Sequence, residues 1–158
     1  MRIDLGASDQ VRFVGQGHMR GREISRMAKV MICDDDRVMA EGLVAALRAA
    51  GHEAETCRHT MDMLRGAAAG QFDLIAFGLD MAGFGRAGAV EALREIAPRV
   101  PLIALHERPA EILRGSSRPQ FAAVLPRSFA LEDFMYAVAC ALSEPAPRKR
   151  KAAAQKVL

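Results

Sequence analysis

Three acids stand in a row at Asp34-Asp35-Asp36, directly after the apolar run Val30-Met31-Ile32-Cys33. Carboxylates this close repel one another, and a bound divalent cation is one way to relieve them. A second way uses no metal: Asp36 caps a following helix while its neighbours find basic partners. Another acid, Asp80, lies in a Gly-rich stretch at 78–88, and a lone histidine, His106, follows the apolar run Leu102–Leu105. Imidazole titrates near neutrality, yet a lone His at the end of such a run more often serves as a hydrogen-bonded spacer. The histidines at 18, 52 and 59 show no ligand spacing. Cysteines 33, 57 and 140 lack any CxxC or Cys/His pattern, which argues against a zinc site or a disulfide framework and for small buried hydrophobes.

The elements that must hold these residues follow from hydrophobic periodicity. Val30–Cys33 reads as a buried strand, and Val38, Leu43 and Leu47 as a helix stopped at Gly51. Glu53–Cys57 reads as a second strand, and Thr60 as the N-cap of a helix using Met61, Leu64 and Ala68. Leu74–Phe77 is a third strand, and Val90, Leu93, Ile96 and Ala97 mark a helix closed by Pro98. Leu102–Leu105 is a fourth strand, Arg108–Arg114 a short helix and Ala122–Leu125 a fifth strand. Leu131, Phe134, Met135, Val138 and Leu142 form the apolar stripe of a last helix. Five strands alternating with five helices predict a flavodoxin-like (βα)5 domain: a doubly wound, five-stranded parallel sheet with helices on both faces.

Length and composition agree with one domain carrying tails. The chain has 158 residues, 51% hydrophobic and 26% charged, enough for a packed core. Its net charge of +3 is divided unevenly. Residues 1–28 hold five Arg against three acids (+2), residues 29–143 twelve Lys/Arg against fifteen acids (−3), and residues 144–158 five Lys/Arg against Glu144 (+4). The expected organisation is a flexible N-terminal extension at 1–28, a mildly acidic globular domain at 29–143 and a basic disordered tail at 144–158. Without interleaved aromatics, Arg148-Lys149-Arg150-Lys151 is a weak nucleic-acid signal, so nucleic acid is not the expected partner. There is no apolar run long enough for a membrane span and no signal-peptide h-region, so membrane partners are not expected and the cytoplasm is the expected compartment.

Val30-Met31-Ile32-Cys33-Asp34-Asp35-Asp36, followed by Leu43, Leu47 and Gly51, resembles the start of a bacterial response-regulator receiver domain. Asp73-Leu74-Ile75-Ala76-Phe77, with Met81-Ala82-Gly83 after it, is similar to the family's third strand and loop. Pro101–Leu105 and Leu125–Phe129 resemble the ends of its fourth and fifth strands, and the likeness spans roughly 29–142. The resemblance implies a working site with a carboxylate nucleophile after strand three and an acid pair holding Mg²⁺. It also implies a hydroxyl after strand four, a lysine after strand five and a switch aromatic on strand five.

Placed on that pattern, this sequence keeps the acid pair as Asp34 and Asp35 and loses most of the rest. The phosphoacceptor position falls on Gly78, the hydroxyl on His106, the lysine on Arg127 and the switch aromatic on Val124. Glycine has no side chain to phosphorylate, and a guanidinium fork does not mimic a point-like ammonium. The resemblance therefore implies a degenerate pseudo-receiver with no catalytic residue and no required cofactor. Asp34 is expected to pair with Arg127, a residual Mg²⁺ on Asp34 and Asp35 being the competing reading. Asp80, two residues past Gly78, is the alternative phosphoacceptor if the loop slips.

The expected role is a stand-alone, non-enzymatic module of two-component signalling, working by protein–protein contact without phosphorylation. Its expected partner is a sensor kinase, a phosphotransfer protein or an output regulator, with a homodimer also open. Val124, Phe129, Phe134 and Tyr136 are the expected interaction face. The alternative is a sensor in which arginines 86, 99, 108, 114, 118 and 127 hold an anionic cyclic dinucleotide, since guanidinium both forks onto phosphate and stacks on purine. Arg22 and Arg26 carry an RxxxR spacing without a supporting partner motif.

Overall fold

The computed structural model describes residues 12–13, 27–81, 86–114 and 121–143. In chain order these form β1 (Arg12–Phe13), β2 (Lys29–Cys33), α1 (Arg37–Ala49), β3 (Glu53–Cys57), α2 (Thr60–Ala68) and β4 (Leu74–Gly78). They continue through α3 (Arg86–Ile96), β5 (Leu102–His106), α4 (Pro109–Arg114), β6 (Ala123–Pro126) and α5 (Leu131–Ser143). The sheet order is β1-β6-β5-β4-β2-β3, with β2 to β6 mutually parallel. This is the expected doubly wound five-stranded parallel sheet.

One element differs from the sequence reading. Arg12–Phe13 lies antiparallel to β6, Arg12 opposite Val124 and Phe13 opposite Ala123, inside the stretch expected to be an unstructured extension. The backbone of these residues covers an edge that the fifth parallel strand would otherwise leave open. The rest of the expected extension, including Arg22 and Arg26, and the expected basic tail at 144–158 lie outside the described residues.

The sheet separates two apolar layers. On one face, Val30, Ile32, Leu74, Ala76, Ile103 and Leu105 pack under α1 and α5. On the other, Met31, Cys33, Ile75, Phe77, Leu102 and Ala104 pack under α2 and α3. The alternation is the period of two of a strand covered on both sides, which is why β4, β5 and β6 are buried along their whole length. The edge strand β3 is largely exposed.

Helix ends follow their sequence signals at α1 and depart from them at α2. Asp36 is the N-cap of α1, its carboxylate accepting from Met39 N at 3.1 Å. Gly51 ends that helix at φ 91°, a left-handed conformation that glycine adopts without steric cost. Thr60 is not the cap of α2: it is the first helical residue and buried, and His59 precedes it without a side-chain cap bond.

Several apolar positions face outward where a core role was expected. Val38 is 83% exposed, because it lies five positions before Leu43, about 140° away around the helix. Met61, Ile96 and Leu131 are also exposed; in α2 the buried stripe runs instead through Thr60, Met63, Leu64 and Ala67.

The expected interaction face needs correction for the converse reason. Val124 and Phe134 are fully buried and cannot meet a partner. Val124 belongs to a strand covered on both faces, and Phe134 sits on the α5 stripe that turns into the core with Ala137, Val138 and Ala141. Phe129 and Tyr136 are half-buried. Phe129 packs its ring 5.7 Å from that of Phe134. No helix among the described residues is long and apolar enough to cross a membrane.

Candidate functional site

β2 and β4 are neighbours whose flanking strands were laid down in opposite directions, so their carboxyl ends border the crevice where this architecture binds ligands. Asp34 leaves the end of β2, and Gly78 is the last residue of β4. Arg127 and His106 arrive from the ends of β6 and β5, and Asp80 from the turn after β4. The fold thus brings together Asp34, Gly78, Asp80, His106 and Arg127. Asp35 is adjacent in sequence but exposed.

Asp34 is held from two directions. Its Oδ1 accepts from Asp36 N at 2.8 Å, closing a turn into α1, and from Arg127 Nη1 at 3.2 Å. Its side chain is wholly shielded from solvent, while that of Arg127 is 24% exposed. The second oxygen, Oδ2, is buried without a hydrogen-bond partner. Burial works against the Arg127 charge, but the hydrogen bond to Asp34 and the charges of Asp34 and Asp80 outweigh it, raising the guanidinium pKa above its ordinary value.

Gly78 explains why these groups can lie so close. A Cβ on this residue would run into Asp34 Oδ2, and would also lie 2.7 Å from Arg127 Nη2. The volume that a side chain at the end of β4 would need is therefore occupied by the Asp34–Arg127 pair.

Asp80 and His106 extend the network outward. Asp80 Oδ2 lies 3.7 Å from Arg127 Nε, and Asp80 Oδ1 lies 3.1 Å from His106 Nε2. His106 Nδ1 accepts from Arg108 N at 2.9 Å. With Nδ1 used as an acceptor, the ring hydrogen belongs on Nε2, where it donates to Asp80. The outcome is a chain from Asp34 through Arg127 and Asp80 to His106. Sequence reasoning had placed Asp80 as a loop acid and His106 as a spacer without joining them; their positions just past adjacent strand ends were the available signal.

These residues do not make a Mg²⁺ set. A hard cation of this kind needs near-octahedral oxygen ligation. Asp34 Oδ1 is already engaged, Asp35 is exposed, and the nearby cationic position is held by a guanidinium. Among the described residues no group of three His, Cys, Asp or Glu side chains is placed to hold a metal.

Two of the arginines expected to bind a nucleotide are already paired with acids. Arg127 is committed to Asp34, Arg108 pairs with Glu111 at 3.2 Å, and Arg118 lies outside the described residues. A cavity of about 170 Å³ beside Asp34 is lined by Arg37 and Arg58 instead, together with Ala40, Glu41, Thr56 and Cys57.

No protein-family model and no curated protein matches the sequence. Solved structures do match in fold. The receiver domain of HemR from Leptospira biflexa superposes with a TM-score of 0.64 at 18% identity, over 75% of this chain and 97% of that one. A protein of Rhodopirellula baltica named adenylate cyclase gives 0.66 at 18% identity, over 74% and 88%. The anti-anti-sigma factor PhyR from Bartonella quintana gives 0.62 at 19% identity, over 74% of this chain but 48% of PhyR, so this chain spans about half of that protein. Together with the strand order and the placement of the strand-end residues, these likenesses establish that the chain has the fold of response-regulator receiver domains.

Proposed function

We propose that the chain is a pseudo-receiver: a signalling module that acts by binding another protein and does not carry a phosphoryl group. The observation that carries this reading is the occupied space at Gly78. A phosphoacceptor there requires a carboxylate, and the place such a group would emerge is filled by Asp34 Oδ2 and Arg127. Arg127 supplies a fixed positive charge paired with Asp34, at the position where the family pattern has its lysine, and so holds one arrangement without phosphate or Mg²⁺. In this reading the chain has no catalytic residue and no cofactor, and works in the cytoplasm.

A sensor kinase, a phosphotransfer protein or an output regulator is the partner class proposed, with homodimerisation as a further contact. The likeness to PhyR, an anti-anti-sigma factor, supports a role exercised through protein contact. Of the residues first assigned to the contact face, Phe129 and Tyr136 retain surface for it. The test is capture of partners from a native lysate by the full chain, with and without a small phosphodonor and Mg²⁺. The expected result is the same partner in both conditions and weaker capture by Tyr136→Ala. Capture that depends on the phosphodonor contradicts the proposal.

A further inference from the structure

Cys33 and Cys57 end β2 and β3 and are direct register partners across that parallel pair. Register partners in a parallel sheet project to the same face, and adjacent strands lie about 4.7–4.9 Å apart. That spacing falls inside the range of about 4.4–6.8 Å between the Cα atoms of disulfide-linked residues, toward its short end. The two side chains share one apolar layer, with Cys33 in its core and Cys57 packed against it. Cys33 Sγ contacts Met81 Sδ at 3.6 Å, and Cys57 Sγ contacts Met31 Sδ at 3.6 Å. Both thiols are free.

We propose that Cys33 and Cys57 are an oxidation site that closes to a reversible intrachain disulfide when the protein meets a peroxide. The pair divides the labour by exposure. Cys57 is half-buried on the edge strand and is the sulfur an oxidant reaches first; Cys33 is fully buried. The Cys33 thiol is pushed above its ordinary pKa by the adjacent Cys57 thiol, by burial, and by the nearby Asp34 and Asp35 charges, so it does not compete as the first nucleophile.

In the first step the Cys57 sulfur attacks one peroxide oxygen, the O–O bond breaks, and Cys57 sulfenic acid and water form (for hydrogen peroxide). In the second, Cys33 sulfur attacks Cys57 sulfur, the S–O bond breaks, and the departing hydroxide takes the Cys33 proton as water. Two thiols lose two electrons and the peroxide gains them. The disulfide can be reopened by exchange with a reducing thiol. Once formed, it ties the residue before Asp34 to the edge of the sheet.

The test treats the folded full chain with hydrogen peroxide and reads intact mass, then maps peptides after blocking free thiols. The expected result is loss of two hydrogens, a Cys33–Cys57 cross-linked peptide with only Cys140 left to block, and full reversal by dithiothreitol. Cys140→Ser is expected to behave the same way, and Cys57→Ser, at a half-buried edge position, to lose the cross-link. Oxygen adducts on cysteine or methionine without that cross-link, a cross-link through Cys140, or no reaction each overturn the proposal.

Discussion

Arg127 reaches Asp34 across 93 positions of sequence and places Nη1 3.2 Å from Oδ1, beside the last residue of the central strand β4. The contact depends on Gly78, because any side chain there would press on the carboxylate and the guanidinium together. A glycine, a buried acid and an arginine at three strand ends thus form one unit, and changing any of them has a foreseeable effect on the other two.

Gly78→Ala is expected to destabilise the fold by about 1–3 kcal/mol, the usual range for forcing a methyl into filled space. Arg127 can swing outward to relieve part of the clash, but Asp34 is held by Asp36 N and cannot move freely. Chemical denaturation of the variant checks the value, and an unchanged midpoint contradicts the packing described.

Arg127→Met leaves the Asp34 carboxylate buried without its basic partner. The expected cost is about 2–4 kcal/mol, somewhat below the range for a fully buried pair because Arg127 is partly exposed. Adding Asp34→Asn removes the unpaired charge, so the double variant is expected to be more stable than the two single losses added together. Denaturant melts of the four proteins in a double-mutant cycle read the coupling.

The Arg127 pair is expected to be insensitive to alkaline pH. Its folded-state pKa is raised, so its stabilisation is complete below the ordinary arginine value and fades only as pH rises through the still higher folded value. The stability difference between the native chain and Arg127→Met, measured by denaturation, should therefore be the same at neutral and at moderately alkaline pH. A difference that shrinks steadily over that interval contradicts the assignment.

His106 is expected to hold its hydrogen on Nε2, because Nδ1 accepts from Arg108 N while Nε2 faces Asp80. Nitrogen NMR of the imidazole distinguishes the tautomers directly. Asp80→Ala should free the ring and broaden or shift the signal, whereas an Nδ1-protonated ring contradicts the network.

Asp36→Ala is expected to cost about 1 kcal/mol through loss of the α1 cap. Among the described residues its carboxylate accepts from Met39 N, while the bond to Asp34 comes from the Asp36 backbone and is kept in the variant, so the site pair should survive the change, with stability alone responding.

The strand-end chemistry was legible in the sequence because strands are short and their apolar runs fix where each ends. Asp34, Gly78 and His106 follow their runs directly and Arg127 comes one residue later, and their meeting follows from the order of a doubly wound sheet. What escaped notice depends on geometry that periodicity does not carry. The Asp80–His106 contact is made by a turn after β4, and Arg12–Phe13 is too short to show an alternating pattern. Val124 and Phe134 looked like surface candidates because an apolar residue reads alike whether it faces a partner or the core; the structure buries both. The Cys33–Cys57 pairing needed the β2–β3 register, which the spacing of three cysteines does not reveal.

The central claim is that this site does not take a phosphoryl group. Intact mass spectrometry of the full chain after incubation with acetyl phosphate and Mg²⁺ tests it most directly. The expected spectrum is that of the unmodified chain at every time point. A single phosphoryl adduct that disappears in Asp80→Ala would contradict the account, placing a working nucleophile two residues beyond the glycine.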